Sequence, residues 1–169
     1  NCDGLVDLHG TLDGTWTVEV GHAQEPGQRD CVGVYDVQGQ HQRELLDICP
    51  DCDMVFWVDG IYDEERSEGS SAACPMHYGL GAFGLGLIGH EDGTLGLATL
   101  LVAEGYSYYG YYGYVYYPGY EYVYEWSDVT ISLDDGHLSF EWGVRDYHDS
   151  ETAMSGYYTY WWGFEGTVE

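Results

Sequence analysis

Five Asp-Gly dipeptides divide this chain into short segments: Asp3-Gly4, Asp13-Gly14, Asp59-Gly60, Asp92-Gly93 and Asp135-Gly136. Asp-Gly between alternating apolar runs is the strongest short-range hairpin signal, because it provides the positive φ that a two-residue turn requires. "TISLDDGHLSFEW", Thr130 to Trp142, shows the pattern clearly. Ile131 and Leu133 alternate before the turn, and Leu138, Phe140 and Trp142 after it. "LGLIGHEDGTLGLATLLV" forms a second hairpin, apolar on both arms and therefore central. "DGTWTVEV" and "DMVFWVDGIY" read as further strands. Gln40 to Ile48 is a short helix or a loop, and Glu64 to Ser71 a polar loop. No linker interrupts the pattern. The expected fold is all-β: residues 1–169 form a single domain, an antiparallel β-sandwich or closed barrel of about ten short strands.

Thirty acids against four bases leave a formal net charge of −26, and all four bases are arginines. A surface this negative repels phosphate and anionic lipid, so nucleic acid and membranes are not expected partners. The absence of lysine excludes Schiff-base chemistry. No apolar run reaches the roughly 18 residues of a membrane-spanning helix. The chain opens at Asn1, in keeping with a processed product, and Cys2 in second place reads as unlipidated.

The five cysteines, in so aromatic a chain, point to an oxidising, extracellular location and a disulfide-stapled fold. Cys31, Cys49, Cys52 and Cys74 are the expected disulfide partners, with connectivity open. Cys2, left over near a terminus, is available to a neighbouring chain. The Cys-x-x-Cys at Cys49 and Cys52 sits in a β context, which disfavours thioredoxin-like chemistry, and Cys31 and Cys74 are too isolated to signal zinc. No cofactor is expected. The acids Asp51, Asp53, Asp59, Asp63, Glu64 and Glu65 make calcium the one candidate ion, without EF-hand spacing.

"GYSYYGYYGYVYYPGYEYVYEW", Gly105 to Trp126, holds eleven of the 18 tyrosines. With Pro118-Gly119 as the turn, period two places Tyr106, Tyr108, Tyr112, Tyr114, Tyr116, Tyr120, Tyr122 and Tyr124 on one face of a hairpin. Each ring carries a large apolar area and a polar tip, so the face suits contact with something amphipathic. Three partners fit: the protein's own sheet, another copy, or a stacked glycan or small apolar ligand.

Two short stretches resemble known families. Asp30-Cys31, Tyr35, Val37, "CPDCDMVFWV" and Cys74, about a quarter of the chain, resemble secreted bacterial surface β-domains of unknown function, which implies export and disulfides and no activity. Gly14 and Trp16 in "DGTW" resemble the Gly-x-Trp of lipocalin-type barrels, which implies a ligand-filled barrel. "PGYEY" is similar to a stretch of family 11 xylanases. That likeness implies Glu121 as nucleophile and needs a second carboxylate, for which Glu165 is the nearest stand-in. The motifs of serine hydrolases, zinc proteases and P-loop proteins are absent. The leading expectation is a non-enzymatic extracellular structural protein, a self-associating subunit of a surface assembly or fibre. The alternative is a monomeric binding module whose ligand quenches Trp126 or Trp142, and a remote third is a glycoside hydrolase.

Overall fold

The structure, a computed structural model, describes residues 10–21, 29–69, 82–143 and 159–169. Eleven strands are present among them: β1 (Thr11–Gly21), β2 (Arg29–His41), β3 (Met54–Tyr62), β4 (Phe83–Gly89), β5 (Leu95–Ala103), β6 (Tyr106–Gly110), β7 (Gly113–Tyr117), β8 (Tyr120–Glu125), β9 (Thr130–Asp134), β10 (His137–Gly143) and β11 (Thr159–Val168). A single 3-10 turn at Arg43–Asp47 stands where a short helix or loop was expected. The expected all-β class is what the chain adopts. Nine strands form one antiparallel sheet in the order β8-β5-β4-β3-β2-β1-β11-β10-β9, and β6 and β7 pair only with each other. The large sheet curls into a half-barrel.

Strand direction explains the curl. Every pairing in the large sheet is antiparallel, so β8 and β9 run the same way. They occupy opposite edges of the sheet, yet only Trp126 to Val129 joins them. A link that short reaches about 18 Å at most, so the edges must approach each other. The Trp126 N–H still donates to the Leu97 carbonyl at 2.8 Å, and the chain then leaves β5 and takes up β10 as its partner. β8 and β9 are joined by a bent link, with Asp128 at φ +60°, across which the chain changes neighbour. The seam is bridged by side chains: the Trp126 indole N–H reaches Thr99 Oγ1 at 3.3 Å, and its ring centroid lies 5.0 Å from Trp142 and 5.7 Å from Trp162.

Alternation fills the interior. Leu12, Trp16, Val18 and Val20 point inward from β1, Leu85 and Leu87 from β4, Leu138 and Phe140 from β10. Trp16 meets Phe83, Phe140, Trp162 and Phe164 at centroid distances of 5.4–6.4 Å, all edge-on. Phe83 stands three strands away from Trp16 in sheet order, so that contact crosses the barrel. Such aromatic pairs contribute about 0.5–1.5 kcal/mol each beyond area burial. Among the described residues the buried Trp16 and Trp162 indole nitrogens have no hydrogen-bond acceptor.

A second, smaller core lies outside the barrel. The chain after β2 folds over the outer faces of β3, β4 and β5, burying Leu45, Cys49, Cys52, Val55, Ile88, Ala98 and Leu100 together. Cys49 and Cys52 are bonded to each other, and a Cβ on Gly86 would stand 2.5 Å from the Cys52 sulfur. The disulfide caps the sheet, which is why both faces of the β4–β5 hairpin are apolar. Cys31 is also disulfide-bonded, with its partner outside the described residues, as are Cys2, Cys74 and Asp3-Gly4.

Of the four described Asp-Gly pairs, two make turns. Asp92-Gly93 joins β4 to β5, and Asp135-Gly136 joins β9 to β10 with φ of +47° and +77°. Asp13-Gly14 and Asp59-Gly60 instead lie inside β1 and β3. At Gly14 the reason is clearance: a Cβ there would stand 2.5 Å from the Phe164 ring.

Candidate functional site

The tyrosine segment forms a ribbon that extends beyond the large sheet. Its position follows from register. β5 pairs with β8 from Ala98↔Glu125 to Ala103↔Tyr120. β6 pairs with β7 from Tyr106↔Tyr117 to Gly110↔Gly113. Two residues on each arm separate the ladders, Glu104-Gly105 and Pro118-Gly119, so the count runs through without a slip. One long hairpin therefore leaves the barrel, interrupted at a neck where Pro118 has no N–H to donate.

The reversal occurs at Tyr111-Tyr112, not at Pro118-Gly119 as the sequence suggests. Neither tyrosine has a positive φ; the left-handed step is taken by Gly113, at +110°. The cross-strand register divides the side chains between two faces. Cross-strand partners in β6–β7 couple even with odd positions, so Tyr106 and Tyr108 share a face with Val115 and Tyr117, while Ser107, Tyr109, Tyr114 and Tyr116 occupy the other. Tyr112 is at the tip. Tyr120, Tyr122 and Tyr124 belong to the large sheet, opposite Ala103, Leu101 and Thr99. The eight expected tyrosines thus line three surfaces instead of one continuous face.

Those surfaces are open. Tyr111 and Tyr112 are 96% exposed and Tyr114 83%. The rings are ordered against one another: Tyr106 and Tyr108 stack on Tyr117 at 5.3 and 5.7 Å, and Tyr109 meets Tyr114 edge-on at 5.0 Å. A side-chain hydrogen bond with Tyr117 raises the Tyr108 phenol above its ordinary pKa. Among the described residues neither outer edge of the ribbon pairs with another strand. From Gly105 to Tyr120 there is no charged residue, in a chain of 30 acids. The sequence signal for the position of the reversal was the Gly-Tyr-Tyr-Gly symmetry at Gly110–Gly113, which turn chemistry based on proline and aspartate overlooks.

The remaining candidates are placed elsewhere. Glu121 lies opposite Val102 on β8, and Glu165 lies opposite Ser139 on β11. At least two strand spacings, about 10 Å, separate their backbones around the seam, and a retaining glycosidase needs its carboxylates about 5–5.5 Å apart. Of the acids considered for calcium, Asp53 accepts the Gly89 N–H at 2.6 Å. Asp63 accepts the N–H groups of Glu65 and Arg66 and pairs with the Arg66 guanidinium, which also reaches Asp36. The Arg66 contacts hold the Asp63 carboxyl below its usual range. These carboxylates shape turns. Among the described residues no group of three or more His, Cys, Asp or Glu converges. Cys49 and Cys52 are buried in the outer core, away from solvent and from the ribbon.

A groove of about 490 Å³ crosses the outer face of β1, β9, β10 and β11, lined by Thr15, Thr17, Thr130, Ser132, Glu141 and Glu165 among others. No helix among the described residues is long and apolar enough to cross a membrane. No protein-family model matches the chain, and no curated protein or solved structure shows significant similarity to it.

Proposed function

We propose that this protein is a non-enzymatic, secreted structural protein, a subunit of an extracellular assembly or fibre whose copies join through the β6–β7 ribbon. The observation that carries this reading is the ribbon itself: two unpaired edges and exposed tyrosine faces on a segment without charge. Unpaired backbone edges favour pairing with an identical edge. Tyrosine is enriched in contact surfaces because it provides area at low entropic cost. The charge pattern selects where contact occurs. Two bodies of net charge −26 repel, and the ribbon is where copies meet with the fewest carboxylates in apposition. Repulsion between the bodies is screened beyond about 8–10 Å at physiological salt, so assembly strengthens as salt rises. Disulfides support an oxidising, extracellular setting.

The test is the solution mass of a variant carrying Tyr112→Ser, Tyr114→Ser and Tyr116→Ser. The proposal expects weaker association than wild type at equal concentration. Undiminished assembly removes the ribbon from the interface. The outer groove favours a second reading, a monomeric glycan-binding module, since hydroxyls and carboxylates in a concavity suit sugar hydroxyls. That reading expects saturable tryptophan quenching by a glycan at constant mass.

A further inference from the structure

This chain has no lysine, so lysine-derived cross-links are closed to it. Phenols remain, and one-electron oxidation can join two of them by a carbon–carbon bond. Where this can occur depends on access. Tyr35 is 2% exposed, whereas Tyr111 and Tyr112 are 96% exposed at the ribbon's end. Tyr106, Tyr108 and Tyr117 are stacked face to face within one chain. Tyr111 and Tyr112 meet each other edge-on at 5.1 Å and 84°, an arrangement that keeps ring edges outward. They also lie furthest from the flanking acids Glu104 and Glu121, so two copies bring these rings together against the least repulsion.

We propose that the ribbon tip is an oxidative modification site at which Tyr111 or Tyr112 of one copy is coupled to Tyr111 or Tyr112 of another, forming dityrosine. The oxidant class is a haem peroxidase using hydrogen peroxide. Each phenol gives up one electron and its hydroxyl proton, leaving a phenoxyl radical whose spin is shared with the ring carbons ortho to oxygen. Two radicals join at those carbons. Each joined carbon then passes its hydrogen to its own oxygen, and the rings become aromatic again. Two phenols have lost two hydrogen atoms in total, and one hydrogen peroxide has become two waters. This inference rests on the self-association reading and adds a covalent lock: an assembly limited by charge repulsion becomes resistant to dilution and low salt.

The experiment treats assembled wild type and a Tyr111→Phe, Tyr112→Phe double variant with peroxidase and limiting hydrogen peroxide. Concentrations are chosen so that both have the same light-scattering mass beforehand. Products are read on a reducing, denaturing gel, by dityrosine fluorescence and by mapping linked peptides. Wild type is expected to yield covalent dimers and larger species, with Tyr111 or Tyr112 in the linked peptides, and the variant at least ten-fold less. Equal cross-linking in the variant, or linked peptides from elsewhere, overturns the assignment. Wild type that assembles without forming dityrosine overturns the coupling and leaves the assembly reading intact. Wild type that stays monomeric overturns the assembly reading and the coupling with it.

Discussion

Gly105 and Gly119 pack backbone against backbone at the neck of the ribbon: a Cβ on Gly119 would stand 2.8 Å from the Gly105 nitrogen and 2.6 Å from the Ala103 oxygen. Neither neighbour can move aside as a side chain would. Gly119→Ala is therefore expected to cost about 1–3 kcal/mol locally and to loosen β6–β7 while sparing the barrel, whose core lies elsewhere. Hydrogen exchange checks this. Amides of Tyr106–Tyr117 should lose protection while those of β1, β10 and β11 keep theirs; uniform loss would show that the neck does not isolate the ribbon.

Trp16 is the centre of the aromatic core, in contact with Phe83, Phe140, Trp162 and Phe164. Trp16→Ala should destabilise the fold by about 3–5 kcal/mol, measured by urea denaturation. A loss under about 1 kcal/mol would mean that the barrel interior does not hold the fold together.

The Cys49–Cys52 bond closes a short loop over the outer face of β4. Chain-entropy arguments give so small a loop about 2 kcal/mol. Replacing both cysteines by serine should cost that much, and reduction of wild type, which also opens the Cys31 disulfide, should lower Tm further than the double replacement does. Gly86→Ala tests the packing separately, since its Cβ would meet the Cys52 sulfur; it should destabilise oxidised protein more than the double-serine variant.

Burial raises the Tyr35 phenol above its ordinary pKa of 10.0, with Tyr62 adding to the shift. A raised value means that the fold favours the neutral phenol. The stability it contributes is whole below pH 10 and falls away as pH climbs through the folded-state value. Melting temperatures between pH 9 and pH 11 should decline more steeply for wild type than for Tyr35→Phe. Parallel curves would remove Tyr35 from the alkaline transition.

Much of this fold was legible. Inward alternation on Ile131, Leu133, Leu138 and Phe140 marked β9 and β10, and the doubly apolar β4–β5 hairpin announced burial on both faces. The ambiguity lay in glycine, which serves as a turn residue at Gly136 and as clearance at Gly14. The sequence around the two is alike, and only the distant Phe164 distinguishes them. The ribbon was visible as composition but not as geometry. Pro118-Gly119 carries a strong turn signal, yet the continuous β5–β8 register pushes the reversal out to Tyr111-Tyr112. Any two-residue reversal pairs even with odd positions, so tyrosines that period two aligned along one arm are divided between two faces once the arms are paired. Cys49 and Cys52 pair with each other across a separation of three residues, whereas the outer core they join is a long-range packing event that local pattern does not report.

The central claim is that the ribbon joins copies. The closing pair Ala103↔Tyr120 allows it to be excised: Glu104 to Gly119 is replaced by Asn-Gly, a two-residue turn suited to that position. The solution mass of unreduced wild type and of this variant would then be compared by light scattering, at equal concentration and at physiological salt and above. The account predicts wild type well above its 19.0 kDa monomer mass, more so as salt rises, and a variant that stays monomeric. Wild type and variant with the same mass, whatever its value, would contradict it.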